Sequence, residues 1–403
     1  MKKFVSAMLA ATMALSLAAC GSTADTSSEA AESTSTASTD SAATGEAASG
    51  TPIKLGGIGP ITGATAVYGT AVKNGEELAV NEINAAAGYT VFDWKFEDDE
   101  SDAEKALNAY NTLKDWDMQV LLGPVTSTPS LSVGAETAND NMFMLTPSAS
   151  AEDVANTGDN VFQMCFTDPN QGKVSADYIA DNALGTKIGI IYDSSDAYST
   201  GIYDAFKVEA EARGLEIVAA EAFNSDNKSD LSTQLAKCSD AGADLVFLPI
   251  YYTEASQILV AANKSGYEPT FFGCDGMDGI LAVEGFDTTL AEDLMMLCPF
   301  SAYGEDETTK TFVSAYEAAY GSTPNQFAAD AYDCVYAIYQ CVQAGKINGD
   351  MSASEICDAL KTEFVSMSFS GTTGENQTWE ASGMISKAPK VYVIKDGAYQ
   401  LAD

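Results

Sequence analysis

Residues 53–88, IKLGGIGPITGATAVYGTAVKNGEELAVNEINAAAG, decide the fold. Ile53, Leu55 and Ile58, separated by small residues, read as a short buried strand, and a glycine-rich turn carrying Tyr68 follows. Val72, Ala79 and Ile83 then recur at helical spacing, with polar Lys73, Asn74, Glu77 and Asn81 on the other faces. Strand, glycine turn and helix also describe a dinucleotide fingerprint, but the detail excludes it. After Gly57 and Gly59 the third glycine belongs at position 62, which is Thr62, and Pro60 interrupts the turn.

Beyond residue 88 the chain keeps alternating strand-like and helix-like stretches, the pattern of a mostly parallel sheet. Strands are expected over 91–97, 120–123, 143–146, 161–165, 188–192, 217–222, 245–249, 270–273, 294–298 and 391–394. Helices fill the intervals, among them 102–116, 171–182, 201–213, 228–241, 254–265, 310–320 and 328–344. From about residue 51 to 403 the chain exceeds the usual size of one domain, and 46% apolar residues are ample for two cores. The expected class is α/β, with two lobes.

Charge and composition exclude several functions. Twenty basic against 58 acidic side chains give −38, so nucleic acid and anionic lipid headgroups are poor partners. The chain has no histidine, which removes a Ser-His-Asp triad, a Cys-His pair and most zinc sites. Arg213 is the sole arginine and ends a helix, so a polyanion site built on bidentate arginines is not expected. Residues 97–100 (EDDE) with Asp102 lack calcium-loop spacing and read as a solvated strand end, and 224–230 as a loop with a helix cap. No cofactor or metal motif is present, and no enzyme is expected.

The N-terminus reads as an export signal. Lys2 and Lys3 precede an apolar run over 4–19, too short for an ordinary membrane span. The run ends in Leu17-Ala18-Ala19-Cys20, which resembles a bacterial lipobox, implying cleavage after 1–19 and a diacylglycerol thioether on Cys20. Loss of Lys2 and Lys3 would leave 18 basic against 58 acidic side chains, −40. Residues 20–50 are mostly Ser, Thr and Ala with scattered acids, too polar to bury, and read as a flexible tether reaching about 30 Å. Seven cysteines remain: Cys165, Cys238, Cys274, Cys298, Cys334, Cys341 and Cys357. Most have apolar neighbours, which marks them as small core residues.

Function concentrates at the carboxyl ends of the strands, where open parallel sheets bind ligands. Those ends read GPVTSTP, TPSAS, YDSSDAYS, PIYYTEA and GCDGMDG, rich in hydroxyl, tyrosine and acidic groups. Together with residues 53–88 they resemble the branched-chain amino acid binding proteins, the type I solute-binding proteins of ABC importers, over most of residues 53–400. The resemblance implies two Rossmann-like lobes joined by three crossing strands, lobe one at 51–167 plus 300–369 and lobe two at 168–299 plus 370–403. It implies that Val125, Thr126, Ser127, Ser148, Ala149 and Ser150 lie in loops holding the carboxylate and amino group of an amino acid. Tyr198 would reach from lobe two across the closed cleft. Asp275 would pair with the ligand ammonium, although a member of that family carries a glutamate there, and Asp278 is an alternative. Tyr68, Val125, Tyr251, Phe327 and Met277 would line the side-chain pocket, with Tyr252 able to exchange roles with Tyr251.

The implied function is a monomeric, lipid-anchored extracytoplasmic protein that hands a neutral apolar or aromatic L-amino acid to an ABC permease and its ATPase subunits. The alternatives are another small solute (urea, a short amide, an aromatic carboxylate or γ-aminobutyrate) or a sensor presenting its ligand to a receptor.

Overall fold

A computed structural model describes residues 50–402. The leader at 1–19, the Cys20 anchor and the tether, save Gly50, lie outside those residues. Two sheets organise the chain. The first comprises β1 (Ile53–Gly59), β2 (Phe92–Asp98), β3 (Val120–Leu122), β4 (Phe143–Thr146) and β5 (Val161–Gln163). Its order is β2-β1-β3-β4-β5, all parallel. The second comprises β6 (Lys187–Asp193), β7 (Glu216–Phe223), β8 (Leu245–Leu248), β9 (Thr270–Gly273), β10 (Met295–Cys298), β11 (Lys390–Lys395) and β12 (Ala398–Leu401). Its order is β12-β11-β10-β9-β8-β6-β7, parallel except for β11 and β12 at one edge. Every residue of β3, β4 and β8 is buried, as strands covered on both faces require. The β12 strand was not anticipated. Its signal was the turn at Asp396-Gly397, both at positive φ, which closes a hairpin.

The helices are α1 (Ala66–Ala87), α2 (Ala103–Asp115), α3 (Ser127–Asp140), α4 (Glu152–Ala155), α5 (Asp168–Asp181) and α6 (Ala197–Arg213). They continue as α7 (Ser232–Asp240), α8 (Tyr252–Ser265), α9 (Glu307–Tyr320), α10 (Gln326–Gly345) and α11 (Ala353–Phe364). Helix α1 buries Val72, Ala79 and Ile83 and stops at Gly88 in the left-handed region. A Cβ on Gly75 would stand 2.2 Å from the Ala328 carbonyl oxygen, so a bare backbone here lets α10 pack closely on α1. That contact brings Phe327, at the start of α10, against Tyr68 at the start of α1.

Several boundaries differ from expectation. Helix α6 starts at Ala197 rather than 201, after extended Asp196, which puts Tyr198 in its first turn. Helix α7 starts at Ser232 rather than 228, because 224–227 form a hydrogen-bonded turn and the Asp230 carboxylate accepts from Ser232 N. The reading of 97–100 as a solvated end fails at Asp99. The turn into α2 folds it inward, it is fully buried, and burial raises its pKa to about 7. Residues 369–385 pack on the first sheet, with Trp379 Nε1 donating to the Gln163 carbonyl at 2.8 Å. The chain's last passage between lobes therefore falls after Ile385, not at 370. All seven cysteines in the described residues are buried and unpaired.

The lobes are closed on each other. One continuous apolar cluster runs from Val72 and Phe327 to Ile250 and Met277. Thr253 Oγ1 donates to the Ala64 carbonyl at 2.7 Å, and Thr128 Oγ1 to Asp196 at 3.0 Å, both between lobes.

Candidate functional site

Each sheet has a point where strand order reverses. In the first sheet β1 has β2 on one side and β3 on the other; in the second, β6 lies between β7 and β8. Such reversals leave a crevice beyond the strand ends. The segments leaving β1, β3, β6 and β8 carry Tyr68, Val125–Ser127, Tyr198 and Tyr251, and the two crevices face each other.

The 124–127 loop is locked from below. Ser148 Oγ donates to the Val125 carbonyl at 2.7 Å, and Thr146 Oγ1 to that of Pro124 at 2.6 Å. Ser127 Oγ accepts from Ala151 N at 3.1 Å, which leaves its own O–H proton uncommitted. Ser127 also opens α3, whose first-turn N–H groups lack intrahelical acceptors. A hydroxyl proton and a helix N-terminus together suit a carboxylate.

The opposite wall is acidic and aromatic. Asp275 is 4% exposed, and burial pushes its pKa up to about 6 against hydrogen bonds to Tyr198, Gln171 and the Gly276 backbone. Tyr198 Oη donates to Asp275 Oδ1 at 2.8 Å and accepts from Gly276 N at 2.9 Å. No ion pair among the described residues includes Asp275; the only pair with both partners buried is Lys387–Asp330, at 2.6 Å. Burial also holds Asp168 well above the usual carboxylate range, with Asp275 adding to that shift. An uncompensated carboxylate in such a place calls for a cation. Tyr198 and Tyr251 stack at 4.9 Å and 8°, and Tyr68 lies 4.2 Å from Phe327.

Nine expected residues line one enclosed cavity: Tyr68, Val125, Thr126, Ser127, Ser148, Tyr198, Tyr251, Asp275 and Phe327. Its free volume in this closed state is about 10 Å³, room for about one water. The other expected residues lie elsewhere. Met277 is fully buried against Gly273, where a Cβ would meet its Cγ at 2.3 Å. Ala149 is buried and spends its N–H on Thr146 Oγ1. Ser150 does not line the cavity, although its buried hydroxyl has no hydrogen-bond partner. Tyr252 packs edge-on against Tyr68 at 4.9 Å and is not part of the lining. Asp278 lines a different cavity and accepts from Gln326 N at 2.9 Å.

Two roles change with the geometry. Tyr198 bonds only within its own lobe, because its helix begins beside the Asp275 turn. It is Tyr68 that crosses, donating from α1 to the Gly276 carbonyl at 2.5 Å. Gln326 and Gln171 went unnoticed in the sequence. Gln326 Nε2 donates to the Asp275 carbonyl at 2.7 Å, and Gln171 Oε1 accepts from Asp275 N at 3.1 Å. Both sit on buried helix faces that also carry acids, Asp168 beside Gln171 and Asp330 beside Gln326, so no local pattern singled them out. Among the described residues no three Cys, Asp or Glu side chains are grouped to hold a metal ion.

A family model described as periplasmic binding protein matches residues 52–398. The "Leu/Ile/Val-binding protein homolog 3" of Brucella melitensis is 31% identical over 228 residues, 56% of this chain and 61% of that protein. The "Leu/Ile/Val-binding protein BraC3" of Rhizobium johnstonii is 28% identical over 325 residues, 77% of this chain and 83% of that one. Among solved structures, the branched-chain amino acid transporter substrate-binding protein LivJ from Streptococcus pneumoniae, in complex with isoleucine, superposes with a TM-score of 0.78. It is 28% identical, and the match covers 87% of this chain and 99% of that one.

Proposed function

This chain belongs to the periplasmic binding protein family, and we propose that within it the protein captures a neutral, apolar L-amino acid and delivers it to an ABC permease. The observation that carries this reading is the buried, cation-free carboxylate of Asp275 facing a cavity that also holds the uncommitted Ser127 hydroxyl and the α3 N-terminus. One wall suits an ammonium and the other a carboxylate, so the cavity suits a zwitterion. The isoleucine bound by the pneumococcal protein supports an aliphatic side chain among Tyr68, Tyr251 and Phe327. Closure then follows from ligand contacts to both lobes, which exist together only in the closed state.

The remaining parts of the reading extend the same logic. Cys20 carries the lipid, residues 20–50 tether the body outside the cytoplasmic membrane, and the protein acts as a monomer without cofactor or turnover. The lobes divide at about residues 167, 299 and 386. Among the described residues no helix is long and apolar enough to cross a membrane. Isothermal titration with leucine and with its deaminated analogue, 4-methylpentanoate, tests the ligand class. Leucine should bind and the plain acid should not. Tighter binding of the acid would refute the zwitterion reading.

A further inference from the structure

Asp275 and Asp278 belong to one short turn yet contribute to different cavities. Asp275 and Gly276 face the small tyrosine-lined cavity, whereas Asp278 and Gly279 face a second one with a free volume of about 510 Å³. This larger cavity also lies between the lobes. The first two turns of α1 and the loop before α10 form one wall, and the Asp278 turn with the β11–β12 hairpin forms the other. Its size is that of a small-molecule site. Phe300, Tyr316 and Tyr399 give it an aromatic interior, and Tyr303, 56% exposed, stands at its mouth.

Its charge is simple. Asp278, 3% exposed, is the only acidic or basic side chain in the lining, and no lysine or arginine faces it there. It is held by Gln326 N at 2.9 Å and by the Tyr399 hydroxyl, whose Oη also accepts from Gly279 N at 3.4 Å. Most first-turn N–H groups of the two helices that border the cavity are already taken. In α1, Ala66 N and Tyr68 N donate to the Gly63 and Thr65 carbonyls, and Val67 N to Tyr252 Oη. In α10, Gln326 N is taken by Asp278, and Ala328 N by Asn325 Oδ1. The amino acid cleft sets the uncommitted Ser127 hydroxyl at a helix N-terminus, whereas the one charged side chain lining this cavity is an acid.

We propose that the larger cavity is a second binding site, which takes an amphipathic monocation: an aromatic or branched alkyl amine without a carboxylate. Because both lobes form its walls, its occupant binds the closed form more tightly than the open one. It therefore raises affinity in the amino acid cleft, and the cleft ligand raises affinity here by the same factor.

Titration of phenethylamine into the full-length protein, alone and with saturating leucine, tests this. One equivalent should bind in both cases, more tightly with leucine present. The neutral 2-phenylethanol and anionic 3-phenylpropionate should bind about tenfold or more weakly than the amine. Ala302→Trp, which fills the cavity, should abolish amine binding with leucine affinity intact. Asp278→Asn should weaken the amine about ten- to hundredfold. If Asp278→Asn does not fold by circular dichroism, Ala302→Trp decides alone. Competition between leucine and phenethylamine, equal binding of 3-phenylpropionate, or amine binding unaffected by Ala302→Trp would each overturn the proposal. A protein that ignores leucine but binds phenethylamine, and loses it in Ala302→Trp, would refute the amino acid reading and leave the second site standing.

Discussion

Affinity for an amino acid should collapse as pH falls through about 6, and Asp275 should be the cause. Its ordinary value is 3.8 and burial raises it to about 6 in the unliganded closed state. The difference corresponds to about 3 kcal/mol of burial cost borne by the ionised form. The sign follows directly. Below pH 3.8 the group is protonated in folded and unfolded states alike, and the burial cost is absent. Between 3.8 and about 6 the unliganded protein loses that stability, and above 6 the loss is complete. A ligand ammonium reverses this by holding the carboxylate ionised, so binding expels a proton wherever the free site carries one. Affinity should be level above pH 7 and about tenfold weaker at pH 5, while the amino acid's own groups keep their charges. Asp278 and Asp330 also have values of about 6, so the wild-type profile alone does not isolate Asp275. Asp275→Asn does. It should bind leucine roughly thirty- to several-thousand-fold more weakly at pH 7.5, and lose most of the pH dependence. Isothermal titration at pH 5, 6 and 7.5 for both proteins supplies the measurement. Equal wild-type affinity at pH 5 and 7.5, or tighter binding by Asp275→Asn, would refute the reasoning.

Ser127→Ala should weaken leucine binding about ten- to hundredfold, because a hydrogen bond to a charged group is lost. It should also lower the stability of the unliganded protein by about 1 kcal/mol in urea unfolding, since Ala151 N loses its acceptor. Lys387→Met leaves Asp330 buried without its partner; both side chains are 2% exposed, and urea unfolding should show a loss of about 3–5 kcal/mol. Asp330→Asn in the same chain should recover a large part of it, and no recovery would show that the pair itself is not the source. Cys20→Ser should leave the protein unanchored or uncleaved on cell fractionation, and a processed, membrane-bound variant would end the lipid reading.

The sequence by itself determined the α/β class, most of its strands and the loops that could hold a ligand. These are local properties: apolar runs bounded by turns mark strands, and hydroxyls, tyrosines and acids at their carboxyl ends mark a crevice. Nine of the twelve ligand residues read from the sequence line one cavity, and all but Phe327, which opens α10 after α9, lie in segments that leave a strand. The boundaries that slipped at α6 and α7 depend on where an extended or turn residue interrupts the helix, and polar runs blur that signal. Only the tertiary structure decided how the site works. It set which strands flank the reversals, that Tyr68 and not Tyr198 crosses the cleft, and that Gln326 and Gln171 brace the Asp275 turn. It also buried Asp99, and divided Asp275 and Asp278 between two cavities. Tyr68 and Gly276 are 208 positions apart, and a carboxylate's burial depends on every segment packed around it, so no local pattern encodes either.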